Sequence, residues 1–263
     1  MAIGLAESLA AVGGFDGPDM ARRLADNFEG HRGYGPGAYR VLMALRGGAA
    51  WDEAAKGLFG GQGSFGNGAA MRVAPVGVLY HDNLPRLRRV AEQQAIITHT
   101  HLLGIQGAMW QAAAVAWATR RGPAATGRNF DALAFLDDVT ATAGLLELWY
   151  DNAANDIRDL LPARPSVVEI LGNGIEAHRS VPAALYSFLA HPDSFAEAVF
   201  YAVSLGGDAD TIGAIAGAYH GASAIPSDWL AALENGPKGR DYVTNLADGL
   251  FAAWQRRPPD PAA

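Results

Sequence analysis

Val199-Phe200-Tyr201-Ala202-Val203-Ser204-Leu205-Gly206-Gly207-Asp208-Ala209-Asp210-Thr211-Ile212-Gly213-Ala214-Ile215-Ala216-Gly217-Ala218-Tyr219-His220-Gly221 is the stretch on which the chain's organisation turns. An apolar approach through Ala202, Val203 and Leu205 meets two glycines, then two aspartates and a threonine, then a run of small residues. The pattern predicts a glycine-loosened turn entering a helix. Asp208, Asp210 and Thr211 place three oxygen donors on one short piece of backbone, the hard kind that Mg2+, Ca2+ or Mn2+ prefers. An aspartate here can also serve as a helix cap, because its side chain and charge suit a helix N-terminus. A cap needs only one, however, and two carboxylates in apolar surroundings call for a countercharge.

Glycines 213, 217 and 221 fall four apart and would line one face of a helix. Each costs up to about 1 kcal/mol of helix propensity relative to alanine, so the run predicts a neighbour packed close to the backbone. In a bilayer this spacing would mean helix dimerisation, but no stretch of about 18 apolar residues occurs in the chain. The expectation is a central helix of an all-α domain outside the membrane.

Composition bounds the rest. The chain has 263 residues, half of them apolar, which supports one substantial core; a single domain over 1–257 and a disordered tail over 258–263 are expected. Twenty basic against 27 acidic residues leave a net charge of -7, which argues against a bulk electrostatic grip on DNA or RNA. The absence of cysteine excludes disulfides, thiolate metal sites and a Cys nucleophile. With no secretory pattern at its start, the protein is expected to be cytoplasmic, and a monomer. Ile3, Leu5, Ala6, Leu9 and Ala10 form an apolar stripe that begins mid-pattern, with no cap ahead of it.

Strand-like alternation is nowhere sustained. Helices are expected at about 16–28, 38–45, 52–57 and 71–80, and from 84 onward, where Arg86, Arg88 and Arg89 form a solvated face. Later helices are expected near 183–189, 228–234 and 241–254, with interruptions at Pro123, Pro162 and Pro165. Trp110, Trp117, Trp149 and Tyr150 are candidate core residues.

Two glycine-rich segments stand out as candidate ligand loops. Gly33-Tyr34-Gly35-Pro36-Gly37 reads either as a binding loop or as an ordinary interhelical turn. Phe59-Gly60-Gly61-Gln62-Gly63-Ser64-Phe65-Gly66-Asn67-Gly68 is more demanding, since such a segment is costly to order without a ligand. Successive glycine amides can form an anion nest and an aromatic ring can stack a base. No Walker lysine follows, so it is not a P-loop. His99, in Thr98-His99-Thr100-His101, follows an apolar stretch that suggests burial; it reads as a site residue or as a satisfied core histidine.

These segments together resemble one family. Gly206-Gly207-Asp208-Ala209-Asp210-Thr211-Ile212 resembles the C-terminal metal motif of the ADP-ribosylglycohydrolases, the dinitrogenase-reductase-activating glycohydrolase family. Gly63-Ser64-Phe65-Gly66-Asn67-Gly68 followed by Ala70-Met71-Arg72 looks like its phosphate loop. Arg32-Gly33-Tyr34-Gly35, Thr98-His99 and Leu171-Gly172-Asn173-Gly174 with Ser180-Val181-Pro182 fit too, most like the branch that hydrolyses ADP-ribosyl-serine and poly(ADP-ribose). The likeness covers nearly the whole chain.

What the resemblance implies is an all-α fold, a single orthogonal helical bundle with two Mg2+ ions, or Mn2+, in a cleft. The implied reaction is hydrolysis of the glycosidic bond at the distal ribose of an ADP-ribosylated protein, polymer or O-acetyl-ADP-ribose. By position, Asp208, Asp210 and Thr211 would ligate metal, with Asp208 and Asp210 catalytic. Gly63, Ser64, Phe65, Gly66 and Asn67 would hold the diphosphate, Phe65 with Phe59 would stack adenine, and Gly35 and His99 would line the pocket. The family's opening Gly-Asp-Ala-type segment and its Thr-Asp-Asp-Thr motif do not occur here. With the uncapped first stripe, this points to a start at an internal Met, and it keeps open a second reading, an ADP-ribose binder with impaired turnover.

Overall fold

Leu102–Arg121, twenty residues with six alanines from Ala108 to Ala118, forms the helix around which the others gather. The computed structural model describes residues 1–122, 130–144, 147–163 and 166–257; the expectations for Pro123, Pro165 and the 258–263 tail lie outside them. In chain order the helices are α1 (Ala2–Val12), α2 (Gly17–Asp26), α3 (Pro36–Arg46), α4 (Ala74–Leu79), α5 (Leu84–Ile96) and α6 (Leu102–Arg121). They continue as α7 (Ala132–Ala143), α8 (Leu148–Ala163), α9 (Val167–Ile170), α10 (Ala177–Ala190), α11 (Phe195–Ser204), α12 (Ala209–Gly217), α13 (Ser227–Ala232) and α14 (Arg240–Arg256). Among the described residues the fold is all-α, and β pairing is confined to an isolated bridge between Gly66 and Glu176. No helix there is long and apolar enough to cross a membrane.

The small side chains of α6 let neighbours close in on both sides. Ile105, Ala108, Trp110, Ala113 and Ala114 face a core built with α7, α8, α10 and α12. Ala112 and Ala116 face a second core of α1, α2, α4, α5 and α14. The crossing of α4 over α6 explains Gly77, where an added Cβ would lie 2.6 Å from the Val115 Cβ.

The glycine stripe of α12 behaves as expected for two of its three members. A Cβ on Gly213 would meet Val203 at 3.0 Å and one on Gly217 would meet Phe195 at 3.1 Å, so α11 lies against the α12 backbone. Gly221 falls beyond the helix end and takes no part.

Other expectations need correction. Residues 52–57 form successive turns rather than a helix: Glu53, Lys56 and Leu58 donate to the carbonyls three residues back, of Ala50, Glu53 and Ala55. The helix expected from Met71 starts at Ala74, with Pro75 in its first turn where a missing N–H costs nothing. Arg88 is not merely solvated: it donates to the carbonyls of Ala141 and Thr142 and so closes the end of α7. Trp149 is half exposed. It has a structural task even so, since Pro182 sits inside α10 and cannot donate to the His178 carbonyl, and the Trp149 indole N–H donates to that oxygen instead, at 3.2 Å.

Candidate functional site

The glycine loop is fixed to two other segments. The Asn67 amide donates to the Ile175 carbonyl and the Ala177 amide to the Phe65 carbonyl, both at 2.9 Å, so residues 65–67 lie along the approach to α10. Gly63, at φ +77°, packs against the start of α6, where a Cβ would fall 2.2 Å from the Thr100 hydroxyl oxygen. Gly104 returns the contact: its Cβ would lie 2.8 Å from the Ser64 carbonyl oxygen. These close approaches already engage part of the loop's backbone. The amides of Gly63, Gly66 and Asn67 donate to Leu58 O, Ser64 Oγ and Ile175 O, respectively. Among the described residues, the amides of Ser64 and Phe65 have no such acceptor.

The aspartate turn meets this loop. Gly206 and Gly207 have φ of +71° and +62°, and the backbone of Asn173 presses on Gly207 so closely that a Cβ would lie 2.1 Å from its carbonyl oxygen. The same carbonyl accepts from the Asp208 amide at 2.8 Å, while the Asn173 side chain donates to Leu205 O at 2.7 Å. Asp208 is the N-cap residue of α12, yet its side chain makes no capping bond. Its carboxylate instead accepts from Asn67 Nδ2 at 2.6 Å. Asn67 is buried and its Nδ2 also donates to Ser180 Oγ, which donates in turn to the Glu176 carbonyl. The capping reading therefore gives way for Asp208: the carboxylate is turned from the helix toward the loop.

Asp210 lies in the first turn of α12, exposed, with one oxygen accepting from the Thr211 amide at 2.9 Å; Thr211 is buried. Neither aspartate forms an ion pair among the described residues. Two unpaired carboxylates and a hydroxyl at one helix N-terminus suit a hard divalent cation in donor chemistry. They are also only part of a coordination shell, and the described residues hold no group of three or more His, Asp or Glu side chains fit to bind a metal by themselves.

His99 is buried behind the loop, its Nε2 edge turned toward Gly66 and Gly68; a Cβ on Gly68 would lie 3.1 Å from Nε2. Burial first, then the positive charge of Arg72, pushes its pKa down to about 3, so the ring is neutral. At the loop's entrance Phe59 is half exposed and adopts φ 53°, ψ 44°, the left-handed region that a bulky residue seldom enters. Its ring lies against Gly37, where a Cβ would be 3.3 Å away, which links the first glycine loop to the second. Gly35, two residues earlier, stands at the N-cap of α3 and faces open space. Phe65, partly exposed, has its ring 5.5 Å from that of His101 and 6.0 Å from that of His178.

The ADP-ribosylglycohydrolase family matches over residues 1–260. The chain belongs to the ADP-ribosylglycohydrolase family. Among its relatives, ADP-ribosylhydrolase ARH3 of Homo sapiens is 36% identical over 97% of this chain and 78% of its own length. ARH3 of Mus musculus is 36% identical over 95% of this chain and 75% of its own. A solved structure described as an ADP-ribosylglycohydrolase-related protein complex superposes with a TM-score of 0.72 at 28% identity, over 96% of this chain and 79% of that one. As an ADP-ribosylglycohydrolase, the protein is a glycosidase acting on ADP-ribose linkages.

The structure brings most of the sequence-predicted residues of this ADP-ribosylglycohydrolase into one neighbourhood. Asp208 and Asn67 are in direct contact, Asp210 and Thr211 share the turn with Asp208, and Ser64, Gly66 and His99 form the layer behind. Phe59 stands with Gly37, and Gly35 has no direct contact to the aspartate turn among the described interactions. Sequence reasoning singled out neither Asn173, which shapes the aspartate turn, nor Ser180, which holds Asn67. The signal for both was present, because each lies in a segment that carries the family resemblance.

Proposed function

We propose that this chain hydrolyses the glycosidic bond at the distal ribose of ADP-ribosyl conjugates, with serine-linked ADP-ribose, poly(ADP-ribose) or O-acetyl-ADP-ribose as substrate and Mg2+ or Mn2+ as cofactor. The observation that carries the reading is Asp208: a carboxylate at an N-cap position that leaves its own helix and bonds the loop side chain of Asn67. Asp208, Asp210 and Thr211 would hold the metal. When bound, a divalent cation supplies charge neutralisation and Lewis-acid polarisation at the sugar.

The remaining residues have roles that follow from their chemistry. The amides of Ser64 and Phe65 would receive diphosphate oxygens, since those of Gly63, Gly66 and Asn67 are already engaged. Phe59 and Phe65 offer two exposed rings to an adenine. His99 cannot act as a base at neutral pH from the acceptor Nδ1, which Thr98 occupies at 2.7 Å; it serves as a neutral hydrogen-bonding group.

Calorimetric titration of Mg2+ and ADP-ribose, with turnover measured on serine-ADP-ribosylated peptide, tests this reading. Asp210→Asn should abolish metal-dependent turnover while leaving the helical fold intact. Unchanged turnover in that variant would remove Asp210 from the metal site. ADP-ribose binding by the parent chain with neither metal dependence nor turnover would leave it a binder.

A further inference from the structure

Arg72 is among the largest fully buried side chains of the protein, and its charge is answered by no carboxylate among the described residues. Its guanidinium donates from Nε to Gln94 Oε1 at 2.8 Å, to the Gln94 carbonyl at 2.5 Å and to Thr98 Oγ1 at 2.7 Å. All three acceptors are neutral. Burial without a carboxylate pushes its pKa down to about 9, still high enough to keep the charge at neutral pH. A lone buried cation is costly, and core packing alone gives no reason to keep one.

We propose that Arg72 and Thr98 are positioning residues that fix His99 as the Nε2–H tautomer, a hydrogen-bond donor aimed at the glycine loop and at an acceptor oxygen of ADP-ribose held there.

The hydrogen count forces the tautomer. Thr98 is buried, and its hydroxyl has one proton and two lone pairs. One lone pair accepts from Arg72. The oxygen also lies 2.7 Å from His99 Nδ1, and Thr98 has no other side-chain partner among the described residues. If Nδ1 carried the ring proton, the hydroxyl would accept twice and its own proton would be buried without an acceptor, at a cost of about 1–3 kcal/mol. If the hydroxyl donates to Nδ1, every group is satisfied. The guanidinium favours the second arrangement further, because it draws the hydroxyl oxygen toward itself and directs the proton to the ring. The imidazole, uncharged, must then carry its proton on Nε2, and that is the edge facing Gly66 and Gly68. Gln94 holds the relay to the same loop, its Nε2 donating to the Ala69 carbonyl at 3.3 Å.

The partner of Nε2–H as a ligand oxygen rests on the proposed function; the tautomer itself does not. The experiment uses the whole chain with 15N-labelled histidine, His99→Gln to assign its signals, and long-range proton–nitrogen spectra with and without ADP-ribose. The expected spectrum has His99 solely as Nε2–H in the parent and in Thr98→Ser, which keeps the hydroxyl. Thr98→Val, nearly isosteric, should give a mixture of tautomers. It should also weaken ADP-ribose binding about two- to tenfold, twofold if half the molecules hold the wrong tautomer and tenfold if the whole bond is lost. A merely structural Thr98 would lower stability in the valine variant without moving the tautomer. An Nδ1–H ring in the parent, or an unmixed tautomer in Thr98→Val, overturns the relay; unchanged affinity overturns its role in binding. If the parent binds no ADP-ribose, the functional reading fails while the spectra still decide the tautomer.

Discussion

Asn67 carries the contact between the loop and the aspartate turn, so its truncation tests the architecture of the site most directly. Asn67→Ala removes a hydrogen bond to a carboxylate at 2.6 Å and one to a hydroxyl at 3.1 Å. A bond to a charged group is worth about 1.5–3 kcal/mol; Asp208 is half-buried, so the lower end applies, and the bond to Ser180 adds about 0.5–1 kcal/mol. The expected loss is about 2 kcal/mol, or roughly 4–8 °C in Tm for a chain of this size. The sharper measurement is a double-mutant cycle with Asp208→Ala, followed by urea unfolding without divalent ions. The two substitutions should couple by about 1.5 kcal/mol. A parallel cycle with Asp210→Ala should be additive to within about 0.5 kcal/mol, because Asp210 bonds only locally, to the Thr211 amide. Additivity in the first cycle would show that the carboxylate at 208 does not reach the loop, and the assembled site would be refuted.

Two further outcomes follow from other parts of the site. His99 is held with a pKa of about 3 against about 6.5 in the unfolded chain, so between those values the unfolded state binds a proton that the native state does not. Its contribution is therefore complete above pH 6.5 and is lost as the pH falls toward 3, at up to about 1.4 kcal/mol per pH unit; His99→Gln should flatten the urea-unfolding profile between pH 6.5 and 5 by about 2 kcal/mol, and an unaltered profile would contradict the buried neutral ring. Phe59→Asn places a residue that tolerates the left-handed region at φ 53°, so Tm should hold or rise while ADP-ribose affinity drops roughly tenfold through the lost stacking face; a fall in Tm would mean that Phe59 serves packing rather than ligand.

The helical architecture was legible because a one-sided apolar pattern survives in α2, α5 and α14, and because no segment alternates like a strand; α6 and α10 are buried nearly all round and carry no such period. Failures came where local pattern was outvoted. Residues 52–57 have helical composition but close as successive turns, and the helix expected near 183–189 begins at Ala177 and runs through Pro182, because the Trp149 indole N–H satisfies the His178 carbonyl that the proline leaves bare. The chemistry of the site was legible as types of residue and not as contacts. Asp208 and Asn67 are 141 positions apart, and nothing in either motif announces that the two share a hydrogen bond.

The glycines carry the more instructive lesson. Read in sequence, the loop's glycines stand for backbone left open to an anion. In the fold, two of them are required by neighbouring protein, Gly63 by Thr100 and Gly68 by His99, as is Gly207 of the aspartate turn by the Asn173 carbonyl, each at a distance that no Cβ could share. Only Gly60 and Gly61, with positive φ and open space around them, keep the freedom that the simple reading assumed. Part of the glycine content is thus a requirement for chain segments to interlock without side chains between them. That requirement is what lets a few polar atoms, the Asp208 carboxylate, the Asn67 amide and the His99 ring, stand within one small volume. Under the proposed function, affinity is therefore expected to depend on the few donors left unengaged, the Ser64 and Phe65 amides, rather than on the number of glycines.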